Sequence, residues 1–174
     1  MLIEIVEAFL LIEDGASRLC PIAASPDVTD FGENRMSAAE PWYKDGLRFQ
    51  CSQCGDCCTG GAGYVWVNAE EIEKLAETIG QDVETFEKYY VRKIGIRQSL
   101  REFPNGDCVF FDNEARKCQV YAARPRQCRT WPFWDSNLKS EAAWKETCEV
   151  CPGSGKGKLY QLGEIEAQRK IFRV

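Results

Sequence analysis

A small α+β domain, built of short helices and a hairpin around cysteine metal sites, is the fold class this sequence predicts. Three observations carry that expectation. Ten cysteines and no histidine occur in 174 residues. Short segments of helical period are interleaved with runs of strand-forming residues bounded by Gly, Asn and Pro. Nine of the cysteines follow residue 50, as Cys51, Cys54, Cys57 and Cys58 in one run, Cys108, Cys118 and Cys128 at ten-residue intervals, and Cys148 with Cys151 as a closing C-x-x-C. Thiols three residues apart on a turn close one edge of a tetrahedron, so this pattern points to thiolate metal ligation.

Taken in order, residues 1–35 stand apart from the rest. Gly15 to Asn34 mixes small, acidic and proline residues without a sustained period. Two expectations compete for this stretch. Met36 is the natural start and the upstream segment an over-extended reading frame, in which case Cys20 is no ligand; or Leu2–Ile12 is an amphipathic helix packed on the domain. The division expected is an N-terminal extension over 1–41 and a cysteine-cluster metal-binding domain over 42–174.

After the first cysteine run, the glycines from Gly60 to Gly63 make a flexible turn, and Tyr64–Val67 has the composition of a short strand. Asn68 followed by Glu71 predicts a capped helix start, with Ile72, Leu75, Ala76 and Ile79 inward and a stop near Gly80. A second helix is predicted from Asp82 or Val83 to Lys93, with Val83, Phe86, Tyr90 and Ile94 inward. Asn105-Gly106 is a turn signal. Cys108–Phe111 and Cys118–Tyr121, joined by the turn Asp112–Lys117, predict a hairpin with one cysteine on each arm. Pro125 suits the first turn of a helix holding Arg126, Cys128 and Arg129. A last helix is predicted over Leu162–Phe172.

Composition excludes several classes. Disulfide scaffolds are typically short, secreted and above about 8–10% cysteine, and this chain is longer and leaner in cysteine. Glu4 and Glu7 stand where a signal peptide is basic. No apolar run reaches the roughly 20 residues that span a bilayer. The net charge is −5 with acids and bases interspersed, which is not the basic footprint of a nucleic-acid binder. A cytoplasmic protein with no nucleic-acid or membrane partner is therefore expected. Without histidine there is no Ser-His or Cys-His pair and no His-ligated zinc. No G-x-G-x-x-G follows a strand, and Gly153–Gly157 lacks the spacing of a phosphate loop. The cysteine spacing also differs from the C-x-x-x-C-x-x-C of radical S-adenosylmethionine enzymes. No catalytic residue and no organic cofactor site is assigned.

Phe49-x-Cys51-x-x-Cys54-x-x-Cys57-Cys58, the segment Cys108-Val-Phe-Phe, the stretch Cys118-x-x-Tyr121-x-x-Arg124-Pro125-x-x-Cys128-Arg129-x-Trp131-Pro132 and the closing Cys148-x-x-Cys151-Pro-Gly together resemble the YkgJ-type cysteine-cluster family. The likeness covers roughly residues 42–155. It implies zinc or iron chelation, with an iron–sulfur cluster as one form of it. The flagellin lysine-N-methylases are similar to the same family, which adds methyl transfer as a distant third reading.

The candidate metal ligands are Cys51, Cys54, Cys57, Cys58, Cys108, Cys118, Cys128, Cys148 and Cys151. Zinc takes four cysteines in a closed tetrahedron. A [4Fe–4S] cluster also takes four, and Cys51-x-x-Cys54-x-x-Cys57 repeats the three-cysteine spacing of bacterial ferredoxins, with Cys151-Pro152 as a remote fourth ligand. The expectation is an iron–sulfur cluster with an electron-transfer or oxidoreductase role and a redox or protein partner. The alternative is a zinc-binding structural or chelating module. Aromatic residues near the cysteines, from Phe49 to Trp134, form either the dry shell of such a centre or simply the core. Cys57 and Cys58, being adjacent, are expected to diverge and serve separate roles. Arg124 and Arg129 are expected beside the site, offsetting thiolate charge or binding a backbone carbonyl, and Arg126 on a solvated face.

Overall fold

The computed structural model describes residues 40–173. The expectations for residues 1–35, including the Leu2–Ile12 helix, Cys20 and the start at Met36, lie outside the described residues. What it describes is a small α+β domain, as the residue pattern predicts.

Local signals set the first half. Helix α1 (Ala69–Thr78) begins at a capping box: Asn68 Oδ1 accepts the Glu71 N–H at 2.9 Å, and Glu71 Oε2 accepts the Asn68 N–H at 3.0 Å. Ile72, Leu75 and Ala76, spaced along one face, are its buried residues. Helix α2 (Val83–Tyr90) is capped by Asp82, whose carboxylate accepts the Thr85 N–H at 2.8 Å.

Here the structure corrects the predicted length. The chain leaves the helix at Tyr90, and Val91–Ile94 forms strand β3, paired antiparallel with β4 (Arg97–Leu100) across Gly95-Ile96. Gly95 takes φ +58°, the left-handed value that a two-residue hairpin turn requires at its first position. Of the four residues expected inward, Phe86 is fully buried, Tyr90 and Ile94 are half-buried, and Val83 is exposed. Strand β2 is only Trp66–Val67 and joins β4, so the sheet order is β2-β4-β3.

A second hairpin follows, of β5 (Phe111–Asp112) and β6 (Lys117–Cys118), with Phe111 opposite Cys118. The Asp112 carboxylate nucleates its turn by accepting the N–H groups of Glu114 and Ala115 at 3.0 and 2.9 Å. The hairpin is shorter than predicted and carries one cysteine. Cys108 lies before it, bridged back to Glu102.

The C-terminal half contains α3 (Arg126–Thr130) after Pro125, α4 (Asp135–Leu138), α5 (Glu141–Val150), β7 (Lys158–Tyr160) and α6 (Leu162–Ile171). Helix α5 was not anticipated; Ser140 caps it through the Ala143 N–H at 3.2 Å. Nor was the antiparallel pairing of β7 with β1 (Leu47–Phe49), which sets Leu47 opposite Tyr160.

Two apolar clusters result. The first gathers Val67, Ile72, Leu75, Phe86, Leu100, Phe110 and their neighbours. The second gathers Tyr43, Leu47, Phe49, Phe133, Leu138, Trp144 and Ile165. Phe133 is its hub, 6.1 Å from the Trp144 ring in a parallel stack and 5.9 Å edge-on from Phe49. Each such ring contributes roughly 1.5–3 kcal/mol by leaving water. Cys108 and Cys118 pack on the first cluster, whereas Cys148 and Cys151 belong to the second. Among the described residues no helix is long and apolar enough to cross a membrane.

Candidate metal centre

The site forms where the two clusters meet. Strand β1 runs directly into Cys51, and its end is stitched to the loop after Cys151. Phe49 bridges Ser154, the Gln50 N–H donates to the Gly153 carbonyl at 3.1 Å, and the Gly155 N–H donates to the Arg48 carbonyl at 2.8 Å. Gly153 lies so close to the Gln50 carbonyl that a side chain there has no room. The Gly153–Gly157 turn thus braces β1, and Gly157 accepts from Arg48 Nη1 at 2.9 Å.

From Cys51 the chain doubles back. The Gln53 N–H donates to Cys51 Sγ at 3.4 Å, an N–H···S contact of the kind that supports thiolate ligands. Gly55, at φ +78°, presses on the Phe111 ring, and a Cβ there would also come within 3.0 Å of the Arg116 carbonyl. Only glycine fits that conformation and that gap. The bend delivers Asp56–Cys58 as one 3₁₀ turn, pinned to the β5–β6 hairpin by Asp56 Oδ1 and Arg116 Nη2 at 2.6 Å. The Cys58 carbonyl then accepts the Cys108 N–H at 2.8 Å.

Six cysteines, Cys51, Cys54, Cys57, Cys58, Cys118 and Cys151, line one cavity together with Phe49, Asp56, Tyr121, Arg124 and Trp131. Its volume is about 40 Å³, far below the roughly 300–1,000 Å³ of pockets for organic cofactors. That size and a sulfur-rich wall suit an inorganic centre. Cys51 and Cys57 reach the surface while Cys151 is buried. Cys108 and Cys128 lie behind the wall, close enough for charge on Cys57 and Cys118 to act on both. Cys148 sits one turn earlier on α5, against the second cluster, and is not part of the wall.

The thiols act on one another. Cys58 hydrogen-bonds both Cys57 and Cys118. Those bonds draw Cys57 and Cys118 down to about 7 against the opposing effect of burial, with the Arg124 charge assisting. The same bonds, then burial, push Cys58 well above an ordinary thiol. Burial, then neighbouring sulfur charge, raises Cys108 to about 11 and raises Cys128 further. Cys57 and Cys58 nonetheless line the same cavity. The Asp56–Arg116 pair ties the 3₁₀ turn to the hairpin whose second strand carries Cys118, so that all three thiols face one cavity.

Arg124 binds a backbone carbonyl as expected, donating from Nε to Tyr121 O at 3.0 Å, and it stacks 3.6 Å from the centre of the Tyr121 ring. The Tyr121 hydroxyl in turn hydrogen-bonds Cys51. Arg129 stands behind, its Nη1 donating to the Arg124 carbonyl at 3.1 Å. Arg126 keeps a partly exposed side chain, while its backbone N–H donates to Glu71 Oε1 at 2.6 Å and ties α3 to the start of α1. Sequence reasoning passed over Asp56, whose signal was its place between Gly55 and Cys57.

Donor chemistry fits a soft or borderline metal, since thiolates are the ligands zinc and iron–sulfur centres take. Among the described residues no three Cys, Asp or Glu side chains are grouped closely enough to hold a metal ion. Loading a metal means displacing the protons of the thiols that ligate it.

Residues 50–152 match the model of the CxxCxxCC family, described as a "putative zinc- or iron-chelating domain". The chain belongs to that family. All nine cysteines of the described residues fall inside the CxxCxxCC match, whereas β7 and α6, which complete the second cluster, lie beyond it. The chain is also 32% identical over 92 residues to an uncharacterized protein of the archaeon Methanocaldococcus jannaschii, covering 52% of this chain and 48% of that protein. The match thus spans about half the length of this curated relative. No solved structure matches. As a CxxCxxCC protein with its cysteines gathered in this way, the chain is a metal-binding protein.

Proposed function

We propose that the protein holds an all-cysteine iron–sulfur centre of the [4Fe–4S] type and serves in electron transfer or as an oxidoreductase. The observation that carries this reading is the single cavity lined by six cysteines from three separate stretches of chain. One tetrahedral zinc uses four thiolates. A cluster whose irons are distinct atoms gives adjacent Cys57 and Cys58 separate corners to reach, and both line the same cavity as Cys118. When bound, such a centre supplies a store for one electron.

The chain's own part is to hold, shield and balance that charge. Cys51, Cys54, Cys57, Cys58, Cys118 and Cys151 form the wall, with Cys51 and Cys57 toward the surface and Cys151 buried. Phe49, Phe111, Tyr121 and Trp131 keep bulk water from the sulfurs, and Arg124 offsets the negative charge of assembled thiolates. The exposed Cys51 and Cys57 mark the side from which a redox partner approaches.

A zinc module is the second reading, favoured by the family description, which names zinc beside iron. Elemental analysis with acid-labile sulfide, on protein purified without oxygen, separates the two. Iron and sulfide near four per chain support the cluster. Zinc at one or two per chain without sulfide overturns it in favour of the zinc module.

A further inference from the structure

Among the described residues, three buried side-chain atoms lack a hydrogen-bond partner: Arg92 Nε, Trp131 Nε1 and Ser154 Oγ. Of these residues, Trp131 alone lines the thiol cavity. A buried indole N–H without an acceptor is destabilising, and native proteins rarely leave one so. This chain satisfies comparable groups nearby. Three residues on, the Trp134 indole N–H donates to the Gln127 carbonyl at 3.0 Å and to Thr130 Oγ1 at 3.2 Å. The Trp42 indole N–H reaches the Leu138 carbonyl at 2.7 Å. The Trp131 donor therefore stands unpaired beside a wall that offers mainly sulfur.

We infer that Trp131 is a positioning residue whose indole N–H donates to a sulfur atom of the bound metal centre. The inference rests on the metal-centre reading but not on which metal fills it. The fold already uses such a bond in the Gln53 N–H to Cys51 Sγ contact. A donor of this kind favours the more negatively charged sulfur. It stabilises the reduced state of a redox centre, or the thiolate form that grips zinc.

Trp131→Phe keeps a ring in the wall and removes the N–H. If the wild-type protein carries iron and sulfide, potentiometric titration of the variant should show the reduced-to-oxidised ratio falling about tenfold at a fixed potential, which is about 59 mV for one electron. Iron and sulfide content should be unchanged. If it carries zinc, chelator competition should show about tenfold weaker binding. In the wild type itself, one indole proton, assigned to Trp131 by its loss in the variant, should exchange slowly with solvent only when metal is bound. A variant equal to the wild type in potential or affinity, with indole exchange indifferent to metal, overturns the inference alone. A wild-type protein that takes up neither metal overturns the metal-centre reading, and this inference with it.

Discussion

The two apolar clusters are built in opposite ways. The first is assembled from one continuous stretch between Val65 and Ala123, through a capped helix, a tight hairpin and near neighbours in the chain. The second joins Tyr43, Leu47 and Phe49 to residues from Trp131 onward, and its β1–β7 ladder pairs Leu47 with Tyr160. Contacts that close so long a loop forfeit more chain entropy before they are repaid. The cysteine cavity sits between these regions, with Cys118 packed on the first and Cys151 in the second. The difference teaches that a metal here is also a fastener, and that it strengthens the second cluster more than the first.

Metal removal is the largest test of that contrast. Stripping the loaded protein by chelation should lower its stability by about 4 kcal/mol relative to a thousandfold excess of free metal over Kd. Amide exchange should rise in β1, α5 and the Cys51–Cys58 loop while α1 and the β3–β4 hairpin stay protected. Equal loss throughout would erase the distinction.

Next in size are two matched truncations. Phe86→Ala and Phe133→Ala each remove a fully buried ring and should destabilise by about 3–5 kcal/mol in denaturant titrations. Only Phe133→Ala should also reduce metal content, because Phe133 packs on Phe49, two residues before Cys51. Smaller still, Asn68→Ala removes the cap of α1 for about 1 kcal/mol, with metal content intact.

The smallest effect concerns pH. Burial acts to raise Glu166, but hydrogen bonds with Tyr43 and Arg169 outweigh it and hold the carboxyl below its usual value. A depressed carboxylate contributes stability above its unfolded value, near 4.3, and that contribution fades as pH falls through the folded one. Glu166→Gln should flatten this acid limb by about 1 kcal/mol or less, since the pair is partly exposed. Stability titrations between neutral and acid pH on both proteins measure it.

What the sequence reveals follows the same division. Asn68 and Glu71 announced α1, and the nine cysteines announced the site, because capping and ligand spacing are local rules. The β3–β4 hairpin was misread because Tyr90 and Ile94 continue the helical spacing set by Phe86, and short apolar runs do not distinguish helix from strand. Gly95 was the overlooked signal. Helix α5 also left one, with Ser140 at its cap and Ala143, Trp144 and Thr147 along one buried face. Nothing near Leu47 announces Tyr160, since their pairing exists only once the chain has closed. The gathering of Cys118 and Cys151 beside the Cys51–Cys58 loop was hidden for a similar reason, since it depends on how distant parts of the chain close around one cavity.

The β1–β7 clasp also sets an order of events during synthesis. The cysteines from Cys51 to Cys58 leave the ribosome before Cys118, which follows with the rest of the first cluster. Their cavity has no far wall until Cys151 and the strand after it emerge. At roughly 5–20 residues per second, the stretch from Cys118 to Cys151 takes a few seconds to make. During that interval the nascent chain presents open thiols, and the cavity they line is completed only once Cys151 and β7 have been made.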